Sequence, residues 1–285
     1  MKQNNKKVLQ TVLLVFLVSL TFCYAEYIDV GISYSSGSYV SYFANTSLLY
    51  ISAINDNNSL DVYELFDTAA NSMVYKGKNT QSISISGTKI QVGSLGLYTG
   101  PLILRPLTNS TSIYVRLSKT GSYWKQYRGS ITISVLSSYF KLVNSVDLEE
   151  YLYGVVPVEI GSGASIEAQK AQAVAARTFA KKNLTRHSSE GFNVCDTEHC
   201  QVYGGKNVET YQAKNAVSST KGEVMTYSGN LIYTYYFSSC GGRTANSFDV
   251  WGTHYPYLVS VVDDPDEVYD ENDSDDFCYS DTYYY

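Results

Sequence analysis

The hydrophobic period of this chain changes once, at Asp147, and that change constrains its fold more than any other feature. From Tyr27 to Val143, apolar residues recur at every second position. Ile28, Val30 and Ile32 alternate with Asp29, Gly31 and Ser33, and the beat returns in Ile83/Ile85, Ile90/Val92, Ile113/Val115/Leu117 and Ile131/Ile133/Val135. A strand turns successive side chains to opposite faces, so this alternation predicts half-buried antiparallel strands. The stretch 26–126 carries no chemically pointed cluster and is expected to be a β-rich platform.

After Asp147 the period lengthens to that of helices. In Asp147-Leu148-Glu149-Glu150, Asp147 suits an N-cap and Glu150 the position that returns the bond. Leu148, Tyr151, Leu152 and Val155 share a helical face, and Pro157 limits continuation. A second helix is predicted from the cap Ser165, with Glu167 in its first turn and Lys181-Lys182 at its cation-favouring end. Its expected packing face is Ala168, Ala171, Ala175 and Phe179. A third helix, Thr210 to Thr220, stops at Gly222. Glu223–Tyr227 and Leu231–Phe237 then form a hairpin through Ser228-Gly229-Asn230. The fold class is α+β: a β-rich N-terminal platform, then a helical catalytic core with a C-terminal β-hairpin.

The two ends are different in kind. Lys2, Lys6 and Lys7 precede the apolar run Val8–Phe22, which closes on Cys23-Tyr24-Ala25. That run is short for a spanning helix, which needs roughly 20 residues, so residues 1–25 read as a cleaved export signal, with a retained membrane anchor as the alternative. Phe22 is too bulky to precede a lipidated cysteine. The remaining 260 residues suffice for one large domain or two smaller ones. Nine acids and no base fall in Asp263–Asp276, so the net charge of −6 is carried by that run, and the rest of the mature chain is near neutral. The acidic, Tyr-rich tail 265–285 is expected to be solvated. Nothing resembles the basic face a nucleic acid would need, so the ligand is expected to be neutral or weakly charged.

One carboxylate stands out. Glu159 lies between the apolar Val155-Val156-Pro157-Val158 and the turn Gly161-Ser162-Gly163. Apolar neighbours disfavour a carboxylate and raise its pKa, as a general acid near neutral pH requires. A plain glutamate on a helix-to-helix turn fits the same residues. The stretch Asp147-Leu148-Glu149-Glu150-Tyr151-Leu152-Tyr153-Gly154-Val155-Val156-Pro157-Val158-Glu159 resembles the signature of the stage II sporulation protein D family, also called the amidase-enhancer domain. The likeness continues through Glu167-Ala168-Gln169-Lys170-Ala171-Gln172-Ala173-Val174-Ala175-Ala176-Arg177-Thr178 and Cys195-Asp196-Thr197-Glu198-His199-Cys200-Gln201-Val202-Tyr203-Gly204-Gly205. Tyr236-Phe237-Ser238-Ser239-Cys240-Gly241-Gly242-Arg243-Thr244 and Pro256-Tyr257-Leu258 complete it, and Tyr127-Arg128-Gly129-Ser130 fits the strand leading in. A family domain over 127–264 follows.

The resemblance implies lytic transglycosylase activity on peptidoglycan glycan strands stripped of stem peptides, with Glu159 as the catalytic acid and base. It places Lys170 and Arg177, two helical turns apart on one face, along the groove, where they would hold muramic acid carboxylates. Gln201, Tyr203 and Ser239 are expected as polar contacts to the sugar. Glu149 and Glu150 are accounted for by the helix cap. An ordinary glycosidase needs a second carboxylate; Asp196 and Asp249 are the candidates should the reaction be hydrolysis. The second class of function is a non-catalytic wall-binding module or amidase enhancer, working with a partner amidase. The family pattern continues into a further ordered segment after Pro265, where this chain has its acidic run.

Beyond the signal, the cysteines are Cys195, Cys200, Cys240 and Cys278, which allow three full pairings. Export favours disulfides. Cys195, His199 and Cys200 also form a soft ligand set suited to structural zinc, which the resemblance supports.

Overall fold

A computed structural model describes residues 26–32, 34–35, 38–39, 47–107, 113–237 and 243–262. The expected signal 1–25, Ser239, Cys240, Cys278 and the acidic tail lie outside the described residues. The chain is α+β, as its two hydrophobic periods require. Among the described residues, two large sheets hold most of the strands, and four α-helices, α1 (Leu148–Glu159), α2 (Ile166–Lys182), α3 (Tyr211–Ser219) and α4 (Ser247–Trp251), follow the strand-rich part.

The first sheet runs in the spatial order 194–195, 27–32, 139–147, 130–136, 102–106, 63–67, 72–77. Its pairings are antiparallel except for 194–195, which lies parallel to 27–32. The second sheet runs 96–98, 89–92, 81–86, 48–55, 113–118, 125–127, with 60–61 added on 48–55. Ile28, Val30, Ile32, Ile83, Ile90, Val92, Val115, Leu117, Ile131 and Ile133 are buried, so the period-two reading picked out the core faces. Ile85 and Val135 are half-buried and pack against that core.

The boundary expected at 126/127 falls inside this architecture. Strand Tyr27–Ile32 pairs along its whole length with Tyr139–Asp147, Ile28 opposite Val146 and Ile32 opposite Leu142. A single apolar cluster joins Leu49 and Val115 of the second sheet to Leu152, Ala176 and Val217 of the helices. The platform and the helical part therefore share one core. Sequence order concealed this, because the pairing joins residues more than a hundred positions apart.

Strand 139–147 delivers the chain directly into α1. Asp147 ends the strand and caps the helix, its carboxylate accepting from the Glu149 and Glu150 amides at 2.9 and 3.3 Å. The two glutamates do not return the cap. Glu150 pairs with Arg128 at 3.1 Å and Glu149 with Arg177 at 2.6 Å. Pro157 sits in the last turn of α1, where it offers no amide to the Tyr153 carbonyl four residues back, and the helix ends two residues later. Ser165 caps α2 as expected and Phe179 is buried as expected, but the other buried residues are Gln169, Gln172, Ala173, Ala176, Arg177, Thr178 and Ala180. Ala171 is exposed, so the packing stripe lies one position further on than the alanine spacing suggests. The C-terminal hairpin is shorter than expected, pairing only Thr226–Tyr227 with Asn230–Leu231. Ser228 and Gly229 both have positive φ, 49° and 77°, the two-residue turn that matches strand twist.

Candidate active site and metal centre

Glu159 is the last residue of α1, and the chain turns away from it through Gly161 at φ 83°. A left-handed residue just past a helix end is a natural glycine position. A Cβ added at Gly161 or Gly163 would meet nothing within 4 Å, so the turn that follows Glu159 faces open space. Glu159 is half-buried. Its Oε1 accepts from the backbone amide of Val202 at 2.6 Å, and its carboxylate also accepts from the Tyr236 hydroxyl. Burial pushes its pKa above the ordinary carboxylate range. The Val202 and Tyr236 donors oppose that push, and the nearby charge of Glu198 adds to it.

Behind Glu159 runs a directed chain of hydrogen bonds. The Tyr151 hydroxyl donates to Gln201 Oε1 at 3.2 Å, and Gln201 Nε2 donates to the Tyr236 hydroxyl at 2.9 Å. Tyr236 has then only its own proton to give, and gives it to Glu159. Gln201 is buried, so it serves this chain of bonds and does not meet a sugar. Tyr203 is also no sugar contact: it is buried against Tyr127 and Tyr151 and donates to Asn144 Oδ1 at 3.0 Å. The loop comes this close to α1 because Gly154 has no side chain. A Cβ there would stand 2.7 Å from the Tyr203 ring and 2.8 Å from the Gly205 carbonyl oxygen.

The expected cationic groove residues separate. Arg177 is fully buried; its Nε and Nη2 donate to the two Glu149 oxygens at 2.8 and 2.6 Å, and it also reaches the Val217 and Glu223 carbonyls. It ties α1, α2 and the end of α3 together and is not available to a ligand. Lys170 is partly exposed and pairs with Glu167 one turn back at 2.8 Å. Ser239 lies outside the described residues. The carboxylate whose charge reaches Glu159 is exposed Glu198, not Asp196 or Asp249. Asp249 belongs to the cap of α4, hydrogen-bonded to Asn246.

The same loop carries a second centre. Cys195, His199 and Cys200 come together, and buried His187 joins them; the four donor atoms lie within 4.8 Å of one another. His187 Nε2 is 3.3 Å from Cys200 Sγ, and His199 Nδ1 is 3.5 and 3.7 Å from the Sγ of Cys195 and Cys200. Both thiols are free, with no disulfide between them. The Cys200 thiol donates to Cys195, which holds Cys195 well below its ordinary pKa and pushes Cys200 up. Zinc bonds of about 2.1 Å to nitrogen and about 2.3 Å to sulfur give a tetrahedral N–S edge of about 3.6 Å. The observed N–S separations bracket that edge, so two Cys and two His suit a tetrahedral ion. His187, eight positions before Cys195, was not in the expected ligand set, because the irregular segment between them has no regular spacing that brings the two together. Stacking on Phe192, with ring centroids 5.0 Å apart, fixes its plane.

Comparison with known proteins places this site in a family. The stage II sporulation protein model matches residues 137–227, which hold Glu159 and all four donors of the second centre. The amidase enhancer of Bacillus subtilis is 37% identical over 218 residues, 76% of this chain and 28% of that protein. The stage II sporulation protein D of Bacillus subtilis is 36% identical over 146 residues, 46% of this chain and 43% of the relative. Residues 137–227 thus carry a domain of the stage II sporulation protein family. An uncharacterized protein of Brachyspira hyodysenteriae is also similar, 36% identical over 137 residues, 48% of this chain and 37% of that one. The chain thus spans less than half the length of these curated relatives. Tyr236 lies beyond the matched stage II sporulation protein segment, although it completes the carboxylate site from the C-terminal side. Among the described residues, no helix is long and apolar enough to cross a membrane.

Proposed function

We infer that this chain is an exported peptidoglycan lytic transglycosylase in which Glu159 acts first as acid and then as base. The observation that carries the reading is the setting of Glu159: half-buried, raised in pKa by that burial, and held from two sides by the Val202 amide and the Tyr236 hydroxyl. A carboxyl that burial shifts toward its protonated form can give its proton to a glycosidic oxygen as the bond from the muramic acid C1 breaks. The resulting carboxylate then takes the proton of the same sugar's 6-hydroxyl as that oxygen closes on C1. The product is a 1,6-anhydro ring, and no water is consumed. Tyr236 and Val202 stabilise the carboxylate between the two steps.

The substrate in this reading is a glycan strand stripped of stem peptides, on the outer face of the cell. His187, Cys195, His199 and Cys200 would hold a structural zinc ion, which ties the loop together and supplies no reacting water. That loop carries both Val202 and Gln201, so its order is the order of the carboxylate's partners.

Two other outcomes rest on specific observations. The exposed carboxylate of Glu198 near Glu159 fits a hydrolase with a second acid. The relative named an amidase enhancer fits a non-catalytic module acting with a partner amidase. Digestion of peptide-free strands in heavy-oxygen water decides among them. Unlabelled 1,6-anhydromuramic ends are expected. Labelled reducing ends would make it a hydrolase, and binding without products would make it a module.

A further inference from the structure

The segment after the hairpin alternates across the surface of α2. Thr234 turns inward and donates to the Ala175 carbonyl at 2.8 Å, and Tyr236 turns inward to Glu159. Tyr233 and Tyr235 between them face outward, their rings 5.9 Å apart and nearly parallel at 4°. Tyr235 packs on Trp251 of α4 with ring centroids 4.3 Å apart and planes tilted by 35°, and Tyr233 meets Tyr255 at 5.3 Å. Tyr235 is 40% and Trp251 50% exposed, so these rings spend much of their area on water.

Two cations flank the rings. Lys182 Nζ stands 4.9 Å over the Tyr233 ring. One turn further on, Arg186 lies close enough to Tyr235 to oppose the rise in phenol pKa that burial and the neighbouring tyrosines cause. Arg186 also reaches His199 Nε2 at 3.4 Å, which places the row beside the four-donor loop. Among the described residues, neither cation is paired with a carboxylate.

We propose that Tyr233, Tyr235 and Trp251, with Lys182 and Arg186, form the surface that holds the anionic amino-sugar strand leading to Glu159. The proposal rests on the glycan-cleaving reading and adds where the strand lies and what reads its charge. Exposed aromatic patches mark binding surfaces, and Tyr and Trp rings offer an apolar face with a polar rim. A pyranose presents the complementary surface, a face of C–H groups rimmed by hydroxyls. The paired cations demand more than a neutral sugar. A peptide-free strand supplies it, since each muramic acid then bears a free carboxylate, a partner for ammonium and guanidinium. The row is tied to the active site through the backbone: outward-facing Tyr235 is followed by Tyr236, which turns inward to Glu159. It also takes over the task that the buried Arg177 cannot perform.

The test is binding of two probes to the full chain carrying Glu159→Gln: a peptide-free GlcNAc–MurNAc tetrasaccharide and neutral chitotetraose. Trp251→Ala and Tyr235→Ala are expected to weaken both probes at least about tenfold, as for truncation of an anchoring aromatic. Lys182→Ala, which touches no member of the four-donor loop, should weaken the anionic probe by roughly two- to fivefold, the worth of a partly exposed charge pair, and leave chitotetraose unchanged. Unchanged affinity in all three variants, each with a wild-type circular dichroism spectrum, would overturn the proposal. So would recovery of binding only after removal of residues 264–285, or a patch buried in a dimer by solution mass. If the variants lose binding but the wild-type chain yields no cleaved product, the surface stands and the transglycosylase reading falls. If the wild type cleaves and the variants bind normally, the surface falls alone.

Discussion

Replacing Arg177 with methionine separates a structural role from a ligand-binding one. The guanidinium is 1% exposed and its partner carboxylate on Glu149 15% exposed, and the pair is bidentate at 2.6 and 2.8 Å. Two further bonds go to the Glu223 and Val217 carbonyls at 3.1 and 3.2 Å. Removing one member of such a pair leaves a buried charge uncompensated, at a cost of about 3–5 kcal/mol. Methionine retains the packing of the stem, and Glu149 keeps the Gly222 amide at 3.2 Å and some water. The loss should therefore fall near the lower end, about 3 kcal/mol. For a domain of this size, that lowers Tm by about 6–12 °C. Thermal and urea unfolding measure the change, and Arg177→Met combined with Glu149→Leu should recover part of it, because no orphaned carboxylate remains. A Tm within about 2 °C of wild type, together with collapse of glycan affinity, would refute the reasoning and return Arg177 to the groove.

Glu159→Gln should cut strand cleavage by about two to four orders of magnitude while the fold persists; activity above about a tenth of wild type would exclude Glu159 as the acid. The raised pKa also has a stability consequence: the folded state favours the protonated form, so wild type loses stability as pH rises through the raised value. The glutamine variant does not titrate, so its melting temperature should gain on wild type as pH rises, and a gain toward low pH would contradict the sign. Tyr236→Phe removes a donor that lowers the Glu159 pKa, so the alkaline limb of the activity profile should move to higher pH; a move to lower pH would contradict the hydrogen bond. Protein purified without chelator should carry close to one equivalent of zinc, and His187→Ala or prolonged chelation should remove the ion and lower Tm, whereas an intact mass showing a Cys195–Cys200 disulfide would argue against the site.

The local facts of this protein were legible because each is set by residues close in sequence. Alternation fixed which faces of Tyr27–Ile32 and Ser130–Leu136 are buried. Asp147 and Ser165 each cap the helix their positions suggested, and Thr210, expected as the start of the third helix, caps it, because a cap is a bond across two or three residues. The apolar run before Glu159 announced a carboxyl that burial would raise. What needed the fold were the pairings across distance. Arg177 looked like a surface cation until Glu149, twenty-eight positions away, took it inward. Gln201 and Tyr203 looked like groove residues until α1 and the loop closed on each other at Gly154. His187 entered the cysteine cluster, and Tyr236 the carboxylate site, through irregular segments whose paths no short-range pattern records. Side-chain spacing determines a helix or strand face by itself. Which faces meet depends on how much apolar surface and how many buried charges the whole chain can satisfy together, and only the tertiary structure decides that.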